Sequence, residues 1–87
     1  MKKQFAFFYF MRNLPDRIGK SAPLHAAYWK DLSLDSYQGG PFSDRSGGLI
    51  LFRAENMDAA ESIIRKDPFL IDNLIEKKWV KAWESVN

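Results

Sequence analysis

Gln4-Phe5-Ala6-Phe7-Phe8-Tyr9-Phe10-Met11 runs almost without a polar side chain. Alternation along an extended strand puts Phe5, Phe7, Tyr9 and Met11 on one face and Ala6, Phe8 and Phe10 on the other. Apolar side chains on both faces mark a strand covered from both sides. Leu49-Ile50-Leu51-Phe52 has the same character. These two segments are therefore expected to be the central strands of one sheet.

The elements between them follow from local chemistry. Asn13-Leu14-Pro15-Asp16 breaks the first strand, and Ile18-Gly19-Lys20 reads as loop. A helix is expected from about Ser21, a capping hydroxyl, with Pro23 in its first turn and Asp35 and Ser36 at its close. Leu24, Ala27, Tyr28 and Leu32 would be its buried stripe, with His25 and Trp29 sharing a neighbouring face. Tyr37–Phe42 suits a short strand that Pro41 confines to an edge or end. Gly39-Gly40 and Gly47-Gly48 read as turn glycines. Asn56 is an N-cap for a second helix, with Asp58 in its first turn and Pro68 ending it near Asp67. Phe69–Ile75 fits either a loop or a short helical turn. Lys77–Trp83 is the last strand, with Lys77, Trp79, Lys81 and Trp83 on one face.

The order β-α-β-β-α-β is the ferredoxin-like arrangement, an α+β fold with an antiparallel four-stranded sheet and two helices on one face. Two helices cover only one side, so the other side exposes large apolar groups and invites a second copy of the chain. The chain has 87 residues, 15 % of them aromatic, and so small a domain buries only roughly 60–65 % of its unfolded surface. Sheet-to-sheet pairing into a homodimer would enlarge that interior. Residues 1–87 are read as one domain.

Composition narrows the chemistry. The chain has no cysteine and one histidine, which argues against disulfides, thiolate catalysis and a protein-built metal site. Phe5–Met11 is far shorter than the roughly 20 residues of a membrane span and lacks a signal-peptide cleavage pattern, so a cytoplasmic protein without membrane attachment is expected. A net charge of +2 is a weak basis for nucleic-acid binding. RNA-recognition domains share the element order, and Tyr9–Leu14 loosely fits their first-strand motif. In the matching third-strand stretch, however, Gly47 and Leu49 stand where aromatics would stack on bases. No P-loop, Rossmann glycine fingerprint or Gly-x-Ser-x-Gly elbow occurs.

His25, early in the first helix, and Asp67, at the end of the second, form the one candidate acid–base pair. From the residues alone, a half-buried structural histidine and a turn-forming aspartate before proline account for them more readily.

Pro23-Leu24-His25-Ala26-Ala27-Tyr28 resembles the Pro-Ala-His-Leu-Ala-Tyr stretch of the YCII family, the YciI-like proteins. Gly40-Pro41 resembles that family's Gly-Pro, Gly47-Gly48 its glycine turn before the third strand, and Asp67-Pro68-Phe69 its Asp-Pro-aromatic. Trp79-Val80-Lys81-Ala82-Trp83 sits where its final strand ends in an aromatic. The chain departs from the family at Ala22, where an arginine is usual. The resemblance implies a dimeric α+β barrel related to muconolactone isomerase, with His25 and Asp67 as the active-site pair. It also implies lyase, isomerase or dehalogenase chemistry without a cofactor, since at least one relative removes HCl from a chlorinated aromatic-derived compound. Such an active site would use Tyr28, Trp29, Gly40, Pro41, Phe69 and Trp83 as pocket residues around a small cyclic ligand. A ligand-binding or accessory protein on the same barrel is the alternative, and single-stranded RNA binding a third.

Overall fold

In the computed structural model, which describes residues 2–86, the chain forms a single antiparallel sheet with helices against one face. The elements are β1 (Lys3–Met11), α1 (Pro15–Asp31), β2 (Gln38–Pro41), β3 (Gly47–Ala54), α2 (Met57–Arg65), a single turn α3 (Pro68–Ile71) and β4 (Ile75–Ala82). The sheet order is β2-β3-β1-β4, so the two strands that are apolar on both faces are the central pair. The fold is α+β and ferredoxin-like. Among the described residues, no helix is long and apolar enough to cross a membrane.

Register explains the core. Phe5 lies opposite Phe52, Phe7 opposite Ile50 and Tyr9 opposite Gly48, and partners across a ladder share a face. All of these are buried beneath the helices. Trp29 of α1 is fully buried among them, its ring centroid 5.3 Å from that of Phe52 and 6.2 Å from that of Phe7. The opposite face carries Ala6, Phe8, Leu49, Leu51 and Trp79 in one patch, with the Phe8 and Trp79 rings stacked at 5.4 Å. Phe10 and Trp79 remain 37 % and 42 % exposed there, and no helix covers them.

Several boundaries differ from the sequence reading. The first helix starts at Pro15, and the stretch expected to be loop forms its first turns. Pro15 enters at the helix start, where its missing N–H costs nothing, and Asp16 suits the positive end. Pro23 then falls inside the helix. It and Gly19 are both exposed, so water can take the carbonyl that the proline leaves without a donor. The buried stripe is also rotated: Ser21, His25 and Trp29, four residues apart, face inward, while Leu24 is 60 % exposed. The helix ends at Asp31, and Ser33 and Ser36 take left-handed backbone angles in the loop that follows.

Gly47 and Gly48 are strand residues rather than turn residues. A Cβ on Gly47 would run into the Tyr9 carbonyl, and one on Gly48 would meet the Tyr9 ring and hydroxyl. The short turn α3 resolves the ambiguous segment after Pro68, and β4 begins at Ile75, two residues ahead of expectation. β2 is an edge strand, as its proline requires.

Because the obstacle at Gly47 is backbone, no rotamer change relieves it. Gly47→Ala is expected to lower stability by about 1–3 kcal/mol. Urea unfolding should show a lower midpoint at unchanged slope.

Candidate active site

Asp67 is placed by its neighbour. Pro68 disfavours helical geometry in the residue before it, and Asp67 is accordingly extended, at φ −62° and ψ 129°. That geometry makes it the N-cap of α3, and its Oδ1 accepts the Phe69 backbone N–H at 2.8 Å. The side chain has no exposure to solvent. Trp29 Nε1–H donates to Oδ2 at 2.8 Å, and His25 Nδ1 lies 2.8 and 2.9 Å from the two oxygens. Three N–H groups thus converge on one buried carboxylate, which stabilises its ionised form where water cannot reach.

This arrangement sets the tautomer of His25. An ionised carboxylate only accepts, so Nδ1 carries the proton and Nε2 of the neutral ring has a free lone pair. Phe69 stacks on the imidazole with centroids 4.0 Å apart and planes 11° from parallel, holding the ring's orientation. Nε2 points to the Tyr9 hydroxyl at 3.3 Å. Burial, and then the nearby Asp67 charge, push the Tyr9 pKa well above its ordinary 10.0. Tyr9 therefore keeps its proton and donates it toward Nε2.

Tyr9, His25 and Phe69 form the floor of a concavity of about 410 Å³. Ile18, Ala22 and Ala26 of α1 make one wall. Tyr37, Gly39, Gly40, Pro41 and Arg45, from the β2–β3 hairpin and the loop before it, make the other. The surface is mostly apolar with a few convergent polar atoms, the usual character of a small-molecule site. Among the described residues, no group of three His, Cys, Asp or Glu side chains is placed to hold a metal ion.

Of the residues singled out in the sequence, His25, Asp67, Gly40, Pro41 and Phe69 gather here, Asp67 beneath the floor and the rest on the surface. Three others do not line the concavity. Trp29 lies under it, with its indole committed to Asp67. The Tyr28 hydroxyl donates to the Ile63 carbonyl and ties α1 to α2. Trp83 follows β4 and pairs its backbone with Gln4, at the opposite end of β1 from Tyr9. Tyr9 and Arg45 escaped the sequence reading. Tyr9 carried a signal: it is the one hydroxyl on the inward face of an aromatic central strand, and a buried tyrosine needs a polar partner. Arg45, in a polar turn, carried none.

The chain is thus a small ferredoxin-like α+β protein in which a half-buried imidazole, backed by a buried carboxylate, lines a concavity. The chain belongs to the YCII-related domain family, which it matches over residues 6–84. Among solved structures it is similar to 5-chloro-2-hydroxyhydroquinone dehydrochlorinase from Burkholderia phenoliruptrix, in complex with 2,5-dihydroxybenzoquinone. That match has 24 % identity, a TM-score of 0.80 and coverage of 93 % of each chain. It also resembles an antibiotic biosynthesis monooxygenase, with 16 % identity, a TM-score of 0.65 and full coverage of both chains. SnoaB, a cofactor-independent oxygenase from Streptomyces nogalater, is similar at 11 % identity and a TM-score of 0.54, over 98 % of this chain and 95 % of that one. No curated protein sequence matches.

The Tyr9 environment makes stability depend on alkaline pH. Its folded pKa is raised, so the stability it contributes is intact below the unfolded value of 10.0 and is lost as pH rises above it. Urea midpoints should fall from about pH 10 upward, and they should fall less steeply in Tyr9→Phe.

Proposed function

We propose that this protein is a cofactor-free enzyme that moves a proton on a small cyclic, oxygen-bearing substrate, with His25 as the general base and acid. The observation that carries the reading is a buried carboxylate held against Nδ1 of His25, a residue that lines the concavity with Nε2 beside the Tyr9 hydroxyl. A lone pair held in one direction by a group that cannot itself leave the interior is suited to abstracting a proton beside a carbonyl. The likeness to a dehydrochlorinase supports hydroxylated or chlorinated six-membered rings as the substrate class.

In this scheme the substrate gives a proton to Nε2. The electron pair left behind moves onto a ring oxygen, and the Tyr9 O–H, released from Nε2, turns to hydrogen-bond that oxygen. The cycle closes in one of two balanced ways. His25 returns the proton at another atom, giving an isomer, or the electron pair moves back into the ring and expels chloride from a neighbouring carbon while His25 releases its proton to water, giving net loss of HCl. Asp67 stays ionised throughout and stabilises the imidazolium by charge and by hydrogen bonding.

The test is chloride release from 5-chloro-2-hydroxyhydroquinone, together with solvent deuterium uptake into enolisable cyclic diketones, both followed by NMR. His25→Ala is expected to lower turnover by about 10²–10⁴-fold with an unchanged circular dichroism spectrum. Tight binding of these compounds with no turnover in the wild type would favour a ligand-binding protein on the same fold.

A second copy of the chain is the proposed partner of the helix-free sheet face. Ala6, Phe8, Leu49, Leu51 and Trp79 form a continuous apolar centre there, and burying each large side chain stabilises by about 1.5–3 kcal/mol. Light scattering at micromolar concentration is expected to give twice the 10.1 kDa chain mass. Phe8→Glu should halve that value, and a wild-type mass of one chain would sink the idea.

A further inference from the structure

The proton-transfer scheme leaves one feature of the concavity unused. Arg45 is the only side chain with a permanent charge among the residues that line it. Arg45 occupies the tip of the β2–β3 connection, where its backbone takes the left-handed conformation at φ 65°. The turn is closed by Phe42 N–H to Gly47 O at 2.8 Å and by Arg45 N–H to Phe42 O at 2.9 Å. Gly47, lacking a Cβ, lies flush on the Tyr9 backbone and holds the hairpin base against β1. Together these contacts keep the arginine beside the same concavity that exposes His25.

An exposed arginine next to an aspartate would ordinarily pair with it. Here Asp44 is occupied elsewhere: its Oδ1 accepts the Ser46 backbone N–H at 3.0 Å and the Ser46 hydroxyl at 2.7 Å. Among the described residues, the Arg45 guanidinium has no hydrogen bond and no ion pair. The α1 residues that line the same concavity, Ile18, Ala22 and Ala26, carry no side-chain acceptor for it. A planar fork of donors over an apolar basin, with its one neighbouring acid engaged, is arranged to receive an anion with two oxygens.

We propose that Arg45 is a specificity residue that selects anionic ring substrates, binding an ionised carboxylate or a pair of ring oxygens bearing a negative charge. The proposal rests on the concavity being the substrate site, and it names the charge class of what enters. It also gives the ring an orientation, with the anionic edge toward the hairpin and the reacting edge toward His25.

The probes are 3-hydroxybenzoate and 3-hydroxybenzamide, which match in shape and differ in charge at pH 7, titrated into the protein by calorimetry and by NMR. The wild type is expected to bind the acid at least about tenfold more tightly than the amide, as a charge-assisted contact predicts. Arg45→Gln should reduce that ratio to near one. Arg45→Lys should keep part of it, since an ammonium supplies charge without the fork. Equal affinity for both probes in the wild type, or a preference that survives in Arg45→Gln, would overturn the role of Arg45 and leave His25 untouched. Binding of neither probe at millimolar concentration would remove the concavity as a ligand site, and the proposal with it.

Discussion

A carboxylate with no access to water organises this protein. Burying an ion costs several kcal/mol, and Asp67 offsets that cost only because three N–H donors reach it from three places in the fold. Phe69 N–H requires the turn after Pro68, Trp29 requires the inward face of α1, and His25 requires the preceding turn of that helix. If any of these shifts, a charge is left in the interior without its partner. The register of α1 against α3 is therefore set by electrostatics as well as by packing. The apolar groups around it, Phe7 and Phe52 among them, exclude the water that would otherwise weaken each bond.

Much of the fold was legible because strand patterning is a strong signal. Phe5–Met11 and Leu49–Phe52, apolar on both faces, could only be central strands, and Pro41 could only be at an edge. The start of α1 was not legible. Pro15-Asp16 and Gly19 are loop-forming residues, yet each is compatible with a helix when proline sits at its first position and the glycine faces solvent. The rotation of the helix stripe has a similar cause. Hydrophobicity nominated Leu24 and Ala27, whereas the interior needed the hydrogen-bonding residues Ser21, His25 and Trp29 facing inward. Polar inward contacts are what hydrophobic periodicity cannot see.

The site was partly legible for the same reason. His25 stood out as the one histidine of the chain, and its pairing with Asp67 as an active site came from the resemblance to the YCII family. Trp29 was assigned to a wall because an aromatic near a histidine looks like pocket lining. Its indole N–H instead serves the carboxylate from below, a role set by depth in the fold. Tyr9 depends on Gly48, which leaves room for its ring and hydroxyl. No local pattern links those two residues, and only strand pairing brings them opposite each other.

The two walls of the concavity differ in how firmly they are held. α1 is anchored through Trp29 and His25 to the buried charge. β2 is four residues long, solvent-exposed along its whole length and bonded to the sheet only through β3. Short edge segments of this kind open locally at far lower cost than the rest of a domain. Fraying of Gln38–Pro41 widens the basin without disturbing Asp67, its donors or the helix packing. The concavity can thus widen along an edge strand while His25 and Trp29 keep their bonds to the buried carboxylate.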